Sequence, residues 1–229
     1  AHLALPLVGE GQAVVGGEVL PAGEALRRAG IVPLELEAKE GLALINGTQA
    51  SVAVAALAVR EAGRLVDAAD VVCSLSLDAL AGTDAAFDEA VHAARPHPGQ
   101  QASARRIAKL LEGSAIREQH RECGRVQDAY SLRCSPQVHG ASRAALDHAA
   151  GVLSIELNSA TDNPMVLEDG RVVSAGNFHG APVAGVCDYL GIALTDLASI
   201  SEWRLARLVD SSQLGLPAVL TPEPVLYSG

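Results

Sequence analysis

Aromatic side chains are scarce in this chain: they are 3% of its 229 residues, with one Trp, three Tyr and two Phe. A core without aromatic volume must be filled by Ala, Leu and Val, and hydrophobic residues make up 49% of the sequence. That mixture argues against a sandwich of short strands, which draws on β-branched and aromatic residues, and favours closely packed helices. Clusters of Lys and Arg are missing as well. Arg105-Arg106 is a pair rather than a patch, and the formal net charge is -10, so nucleic acid and anionic membrane are poor partners. No C-x-x-C spacing links Cys73, Cys123, Cys134 and Cys187. With no secretory or targeting segment in view, free thiols in a reducing, cytoplasmic compartment are expected. The histidines show no metal-ligand spacing, and no metal site is expected. The longest uncharged stretch lies between Glu40 and Arg60; it holds Asn46, Gly47, Thr48, Gln49 and Ser51 among many Ala. A spanning helix calls for bulkier apolar residues, so a buried helix is expected there.

What is present reads as an all-α chain, a long-helix bundle with two small β-hairpins, forming a single segment over residues 1–229 with no repeat or internal linker. Gln12–Val15 and Glu18–Leu20 flank Gly16-Gly17, a pair that tolerates the positive φ of a tight turn. Pro21 opens a short helix through Arg28, stopped at Gly30. An Ala-rich helical pattern covers about 38–69 with a break at Asn46-Gly47, and separate helices follow over 75–80 and 87–94. Two prolines make 95–99 a loop, with helix resuming over 100–111. Ser135-Pro136 supplies an N-cap and first-turn proline for a helix to about Leu157. Asp169-Gly170 turns a second hairpin between 165–167 and 171–173. A long apolar periodicity then runs from 181 to 208 and ends near Gly215 and Pro217.

The segment Gln127-Asp128-Ala129-Tyr130-Ser131-Leu132-Arg133 places an amide, a phenol and a guanidinium at three-residue intervals. In a helix these would form a staggered polar ridge on one side. Such a ridge suits a small amino acid: Arg offers a planar fork to a carboxylate, Tyr can exchange a proton, and Gln can fix a polar contact. A solvated helix face with an incidental Tyr fits the same spacing.

The run from Val126 to Gly140, VQDAYSLRCSPQVHG, closely resembles a signature of the histidine/phenylalanine ammonia-lyase family. Three more stretches match in the family's order: Gly41–Gln49 (GLALINGTQ), Glu156–Pro164 (ELNSATDNP) and Gly176–Gly180 (GNFHG). The resemblance implies that Asn46 reaches the prosthetic group and substrate, and that Tyr130 lines the reaction centre and takes part in proton transfer. It likewise implies that Arg133 grips the substrate carboxylate beside Gln127, and that Phe178 lies against the prosthetic ring. Asn158, Thr161, Asp162 and Asn163 are expected to brace the turn before Pro164, and His179 to be a structural hydrogen-bonder.

Members of the family eliminate ammonia from an α-amino acid with a methylidene-imidazolone made from an internal Ala-Ser-Gly. No Ala-Ser-Gly occurs in this sequence. By resemblance the chain covers less than half of a family enzyme, so a central segment, inactive alone, is expected. Gly47-Thr48-Gln49 and Phe178–Pro182 look more like the family's bacterial histidine enzymes, which implies deamination of L-histidine to urocanate and ammonia. A phenylalanine or tyrosine ammonia-lyase, an aminomutase, or a non-catalytic helical scaffold stand as alternatives. The family is tetrameric, and a homo-oligomer is expected.

Overall fold

The structure, a computed structural model, describes residues 1–121, 124, 126–210, 217–223 and 226. Among the described residues it is helical, with two two-stranded antiparallel sheets. Two compact units emerge: residues 1–52 with 155–181, and residues 53–154 with 182–229.

In the first unit, β1 (Gln12–Val15) pairs with β2 (Glu18–Pro21) in the register Gln12↔Pro21 to Val15↔Glu18. Gly16 and Gly17 take φ of 60° and 87° in the turn, as the Gly-Gly pair predicts. Helix α1 (Ala22–Arg28) follows with Pro21 as its N-cap, and Gly30 at φ 71° ends it. The short α2 (Glu40–Ala43) stops before Asn46-Gly47, so the expected break is real. The second hairpin, β3 (Met165–Val166) with β4 (Val172–Val173), turns at Gly170, φ 83°.

The second unit is built on long helices. Helix α3 (Gln49–Ala79) enters it and buries Ala55, Ala62, Val66, Cys73 and Leu77, the seven- and four-residue spacing of one helical stripe. It absorbs the separate helix expected over 75–80. Within it, Ser74 and Ser76 return their hydroxyls to the carbonyls of Asp70 and Val72, so both are satisfied inside the helix. Ala81 ends the helix at φ 48°, and the Gly82 N–H reaches the Leu77 carbonyl, a Schellman closure with Ala in the usual glycine position. The helix expected over 87–94 is a 3₁₀ turn, Ala85–Phe87, followed by α4 (Glu89–Ala93). Helix α5 (Pro98–Leu110) begins before the expected residue 100, since Pro98 fits the first turn. Next come α6 (Ala115–Gln119), α7 (Tyr130–Arg133), α8 (Ser135–Glu156) and α9 (Ala181–Val209). The stop expected at Gly215 and the thiol of Cys123 lie outside the described residues.

Two apolar cores hold this unit. Ala62 and Val66 of α3, Ala145 and Ala149 of α8, and Val186 and Leu190 of α9 form one. Cys73, Leu77, Phe87, Ile107, Leu111 and Leu132 form the other, beneath α7. Ala at the first contact lets the helix axes approach. Helix α5 meets α8 backbone to backbone, where a Cβ on Gly140 would lie 2.3 Å from Gln100 N and 2.5 Å from its Cα. Helix α9 is also long and apolar enough to cross a membrane by length and composition, and 28% of its apolar 18-residue window is buried. Tyr189, Ile192, Trp203 and Leu205 on it are exposed.

Candidate functional site

The Gln127–Arg133 segment is not one helix. Gln127 to Ala129 run outside helical geometry, and Ala129, at φ -59° and ψ 152°, turns the chain into α7. The physical reason is Asp128. Its buried carboxylate accepts the Thr83 N–H at 2.7 Å, which ties the segment to a loop 45 residues earlier. The expected three-residue ridge is therefore corrected: only Tyr130 and Arg133 share the helix. Gln127 still joins them, since all three line one cleft of about 410 Å³ with Leu80, Asp128 and Arg207.

Arg133 does not bridge to the Asp128 carboxylate. Its Nε donates to the Asp128 backbone carbonyl at 2.9 Å, and its guanidinium lies 4.5 Å from the centre of the Tyr130 ring. Held by Nε and ring face, the guanidinium keeps its two terminal nitrogens for a carboxylate. Tyr130 is 73% exposed and also borders a wider groove of about 580 Å³ with Cys134, Asp196, Trp203 and Arg207. Trp203 and Arg207 escaped sequence reading because nothing separates them from the ordinary periodicity of α9.

Behind α7 lies a buried polar network that sequence reasoning missed. Asp70 and His139, both fully buried, meet at 2.7 Å through His139 Nδ1, and Arg143 approaches Asp70 at 2.5 Å. Across the ring, Arg204 lies 3.2 Å from His139 Nε2 and donates to Ser135 Oγ at 2.9 Å. Ser135 in turn donates to the Ser131 carbonyl at 3.0 Å, so its hydroxyl anchors α7 rather than capping α8. Burial pushes His139 below its ordinary value and the Cys73 thiol above its own. The available signal was Asp70, a carboxylate on the apolar stripe of α3 between Val66 and Cys73.

Asn46 and Phe178 belong to the other compact unit. The Asn46 amide donates to Asp162 Oδ1 at 3.2 Å and to the Asn163 carbonyl at 3.5 Å. Asp162 pairs with Lys39, whose ammonium and the Asn163 N–H hold that carboxyl below the usual range. Gly47, at φ 125°, packs so tightly that a Cβ there would strike the Thr161 carbonyl and lie 2.9 Å from its hydroxyl. Thr48 is fixed by Glu156 at 2.7 Å. Phe178 sits in a turn, 42% exposed. His179 is structural, its Nδ1 accepting the Ala181 N–H at 3.2 Å at the start of α9.

The aromatic amino acid lyase family model matches residues 1–229. The chain belongs to that family. It is 57% identical over 231 residues to the histidine ammonia-lyase of Gloeobacter violaceus, covering 100% of this chain and 45% of that protein. The crystal structure of histidine ammonia-lyase from Trypanosoma cruzi superposes with a TM-score of 0.84 at 44% identity, over 100% of this chain and 43% of that one. A tyrosine aminomutase from Streptomyces globisporus gives 0.85 at 38% identity, over 95% of this chain and 45% of that one. The chain thus spans less than half the length of the relatives it matches, and the expected all-α lyase fold is what the structure contains.

Proposed function

We propose that these residues serve the non-oxidative deamination of L-histidine to urocanate and ammonia, as part of an ammonia-lyase. The observation that carries the reading is the Tyr130–Arg133 pair: a guanidinium steadied by a ring and a carbonyl, with its terminal nitrogens at an open cleft. Eliminating ammonia breaks the Cα–N bond and removes a proton from Cβ. Arg133 would fix the carboxylate, Gln127 would add a polar contact, and Tyr130 would exchange the proton. The 57% identity to a histidine ammonia-lyase supports histidine as substrate.

The family's methylidene-imidazolone supplies an electrophile that makes the substrate amine a leaving group. Its Ala-Ser-Gly precursor is not in these 229 residues, so the chain can only surround the group. The side chains fit that task, with an amide at Asn46 and a partly exposed aromatic residue at Phe178. The exposed residues Val54, Leu57, Leu65, Val72 and Leu75 recur at helical spacing along α3 and support the proposal of a homo-oligomer. Light scattering on the purified protein tests it, with a monomer as the contradicting result.

The functional test is the complete polypeptide that carries these residues, assayed for urocanate from histidine. Turnover of histidine, absent in Arg133→Leu, supports the reading. Histidine bound without turnover favours a scaffold, and a β-amino acid from tyrosine or phenylalanine favours an aminomutase.

A further inference from the structure

We propose that Asp162, held by Lys39, is a positioning residue that decides which end of the Asn46 side chain meets the ligand, making that end a hydrogen-bond acceptor for the substrate's ammonium. The inference rests on reading Asn46 as a ligand-facing group in a lyase. An ionised carboxylate can only accept hydrogen bonds. Asp162 Oδ1 accepts from the Asn46 amide at 3.2 Å and from the Asn163 N–H at 2.7 Å, and Oδ2 accepts from Lys39. The second partner of the Asn46 amide nitrogen, the Asn163 carbonyl at 3.5 Å, is also an acceptor. The opposite flip would set the Asn46 oxygen against a carboxylate and a carbonyl with no proton between them. The NH₂ group is therefore the inward end, and the carbonyl oxygen, on the other branch of a planar amide, is presented outward.

Three further observations show that the surroundings are built to hold this arrangement. Lys39 carries a φ of 74° and ψ of -16°, a left-handed conformation rare for a residue with a side chain. Such backbone persists where contacts over-determine it, and the side-chain contact of Lys39 is Asp162. The pair is shielded, at 26% and 15% side-chain exposure, which protects it from screening by salt. Next to Asn46, Gly47 packs against Thr161 with no room for a Cβ, so the turn is seated closely on the segment that carries Asp162. Lys39 keeps Asp162 ionised, Asp162 fixes the amide, and the amide presents its oxygen.

A double-mutant cycle in the complete polypeptide tests this. Asp162→Asn, an amide that can either donate or accept, frees the flip. It is expected to lower kcat/KM about tenfold alone and to add no loss on an Asn46→Ala background. Equal losses in both backgrounds would overturn the inference, because a purely structural Asp162 acts without Asn46. Should Asp162→Asn fail to fold by circular dichroism, the Lys39 variants carry the same cycle. Lys39→Met is expected to follow Asp162→Asn and Lys39→Arg to restore activity; indifference to both would overturn it. Independently of turnover, the Asn46 side-chain N–H signals in ¹⁵N NMR should be protected from exchange in the parent and lose protection in Asp162→Asn. Retained protection would also overturn it. If Asn46→Ala itself matches the parent, the catalytic reading of Asn46 fails, and the NMR arm still decides whether Asp162 orients the amide.

Discussion

Asp70→Asn removes a negative charge from a place where no water can replace it. The carboxylate accepts from His139 Nδ1 at 2.7 Å and from Arg143 at 2.5 Å, and both Asp70 and His139 are fully buried. Since Arg can only donate, His139 Nε2 must accept from Arg204, which is 1% exposed. The neutral ring therefore links a buried carboxylate to a buried guanidinium, consistent with the lowered proton affinity of His139. Breaking a buried pair by removing one partner costs about 3–5 kcal/mol. Arg143 keeps Asp67 at 2.8 Å, which places the expected loss near the lower end, about 3 kcal/mol. For a chain of this size each kcal/mol moves Tm by about 2–4 °C, so the variant should melt about 6–12 °C below the parent. Circular-dichroism melts near neutral pH read this directly, with Asp67→Asn as control. Asp67 is 45% exposed, and losing it should cost no more than about 1 kcal/mol. Equal melting temperatures for Asp70→Asn and parent would refute the reasoning.

Gly140→Ala forces a methyl into the backbone of Gln100 and should destabilise by about 1–3 kcal/mol, measured by urea midpoint. Ala81→Gly relieves the φ of 48° at the end of α3 and should raise the urea midpoint by about 0.5–1 kcal/mol equivalent. His139 is held below its ordinary 6.5 by burial, so the unfolded chain takes up the proton first as pH falls. The stability that neutral His139 contributes is complete above about 6.5 and is lost as pH drops from there through the folded value; the fall in urea midpoint across that window should shrink in His139→Gln. Arg133→Lys keeps the charge but loses the fork, so KM for histidine should rise about tenfold or more, with a smaller change in kcat.

Both hairpins and the break at Asn46-Gly47 were legible because Gly-Gly, Asp-Gly and Asn-Gly act locally. The continuity of α3 was not legible, since the Ala-rich pattern stops at Ala69 and spacing does not show that the hydroxyls of Ser74 and Ser76 fold back on the carbonyls four residues earlier. Gln127 was placed on a ridge because spacing cannot reveal that Thr83 captures the neighbouring Asp128. Within the motif Ser135–Gly140, Ser135, His139 and Gly140 work as anchor, neutral hydrogen-bond link and close crossing. A match to a family signature thus reports packing as readily as chemistry. Lys39 carried no signal at all, because its partner Asp162 lies 123 residues away.

The most direct test of the central claim follows urocanate absorbance when L-histidine is added to the complete polypeptide, beside its Arg133→Leu variant. Steady urocanate formation by the parent, abolished in the variant, is the predicted result. No urocanate from a folded protein that carries the full lyase sequence, or equal rates from parent and variant, would contradict the account.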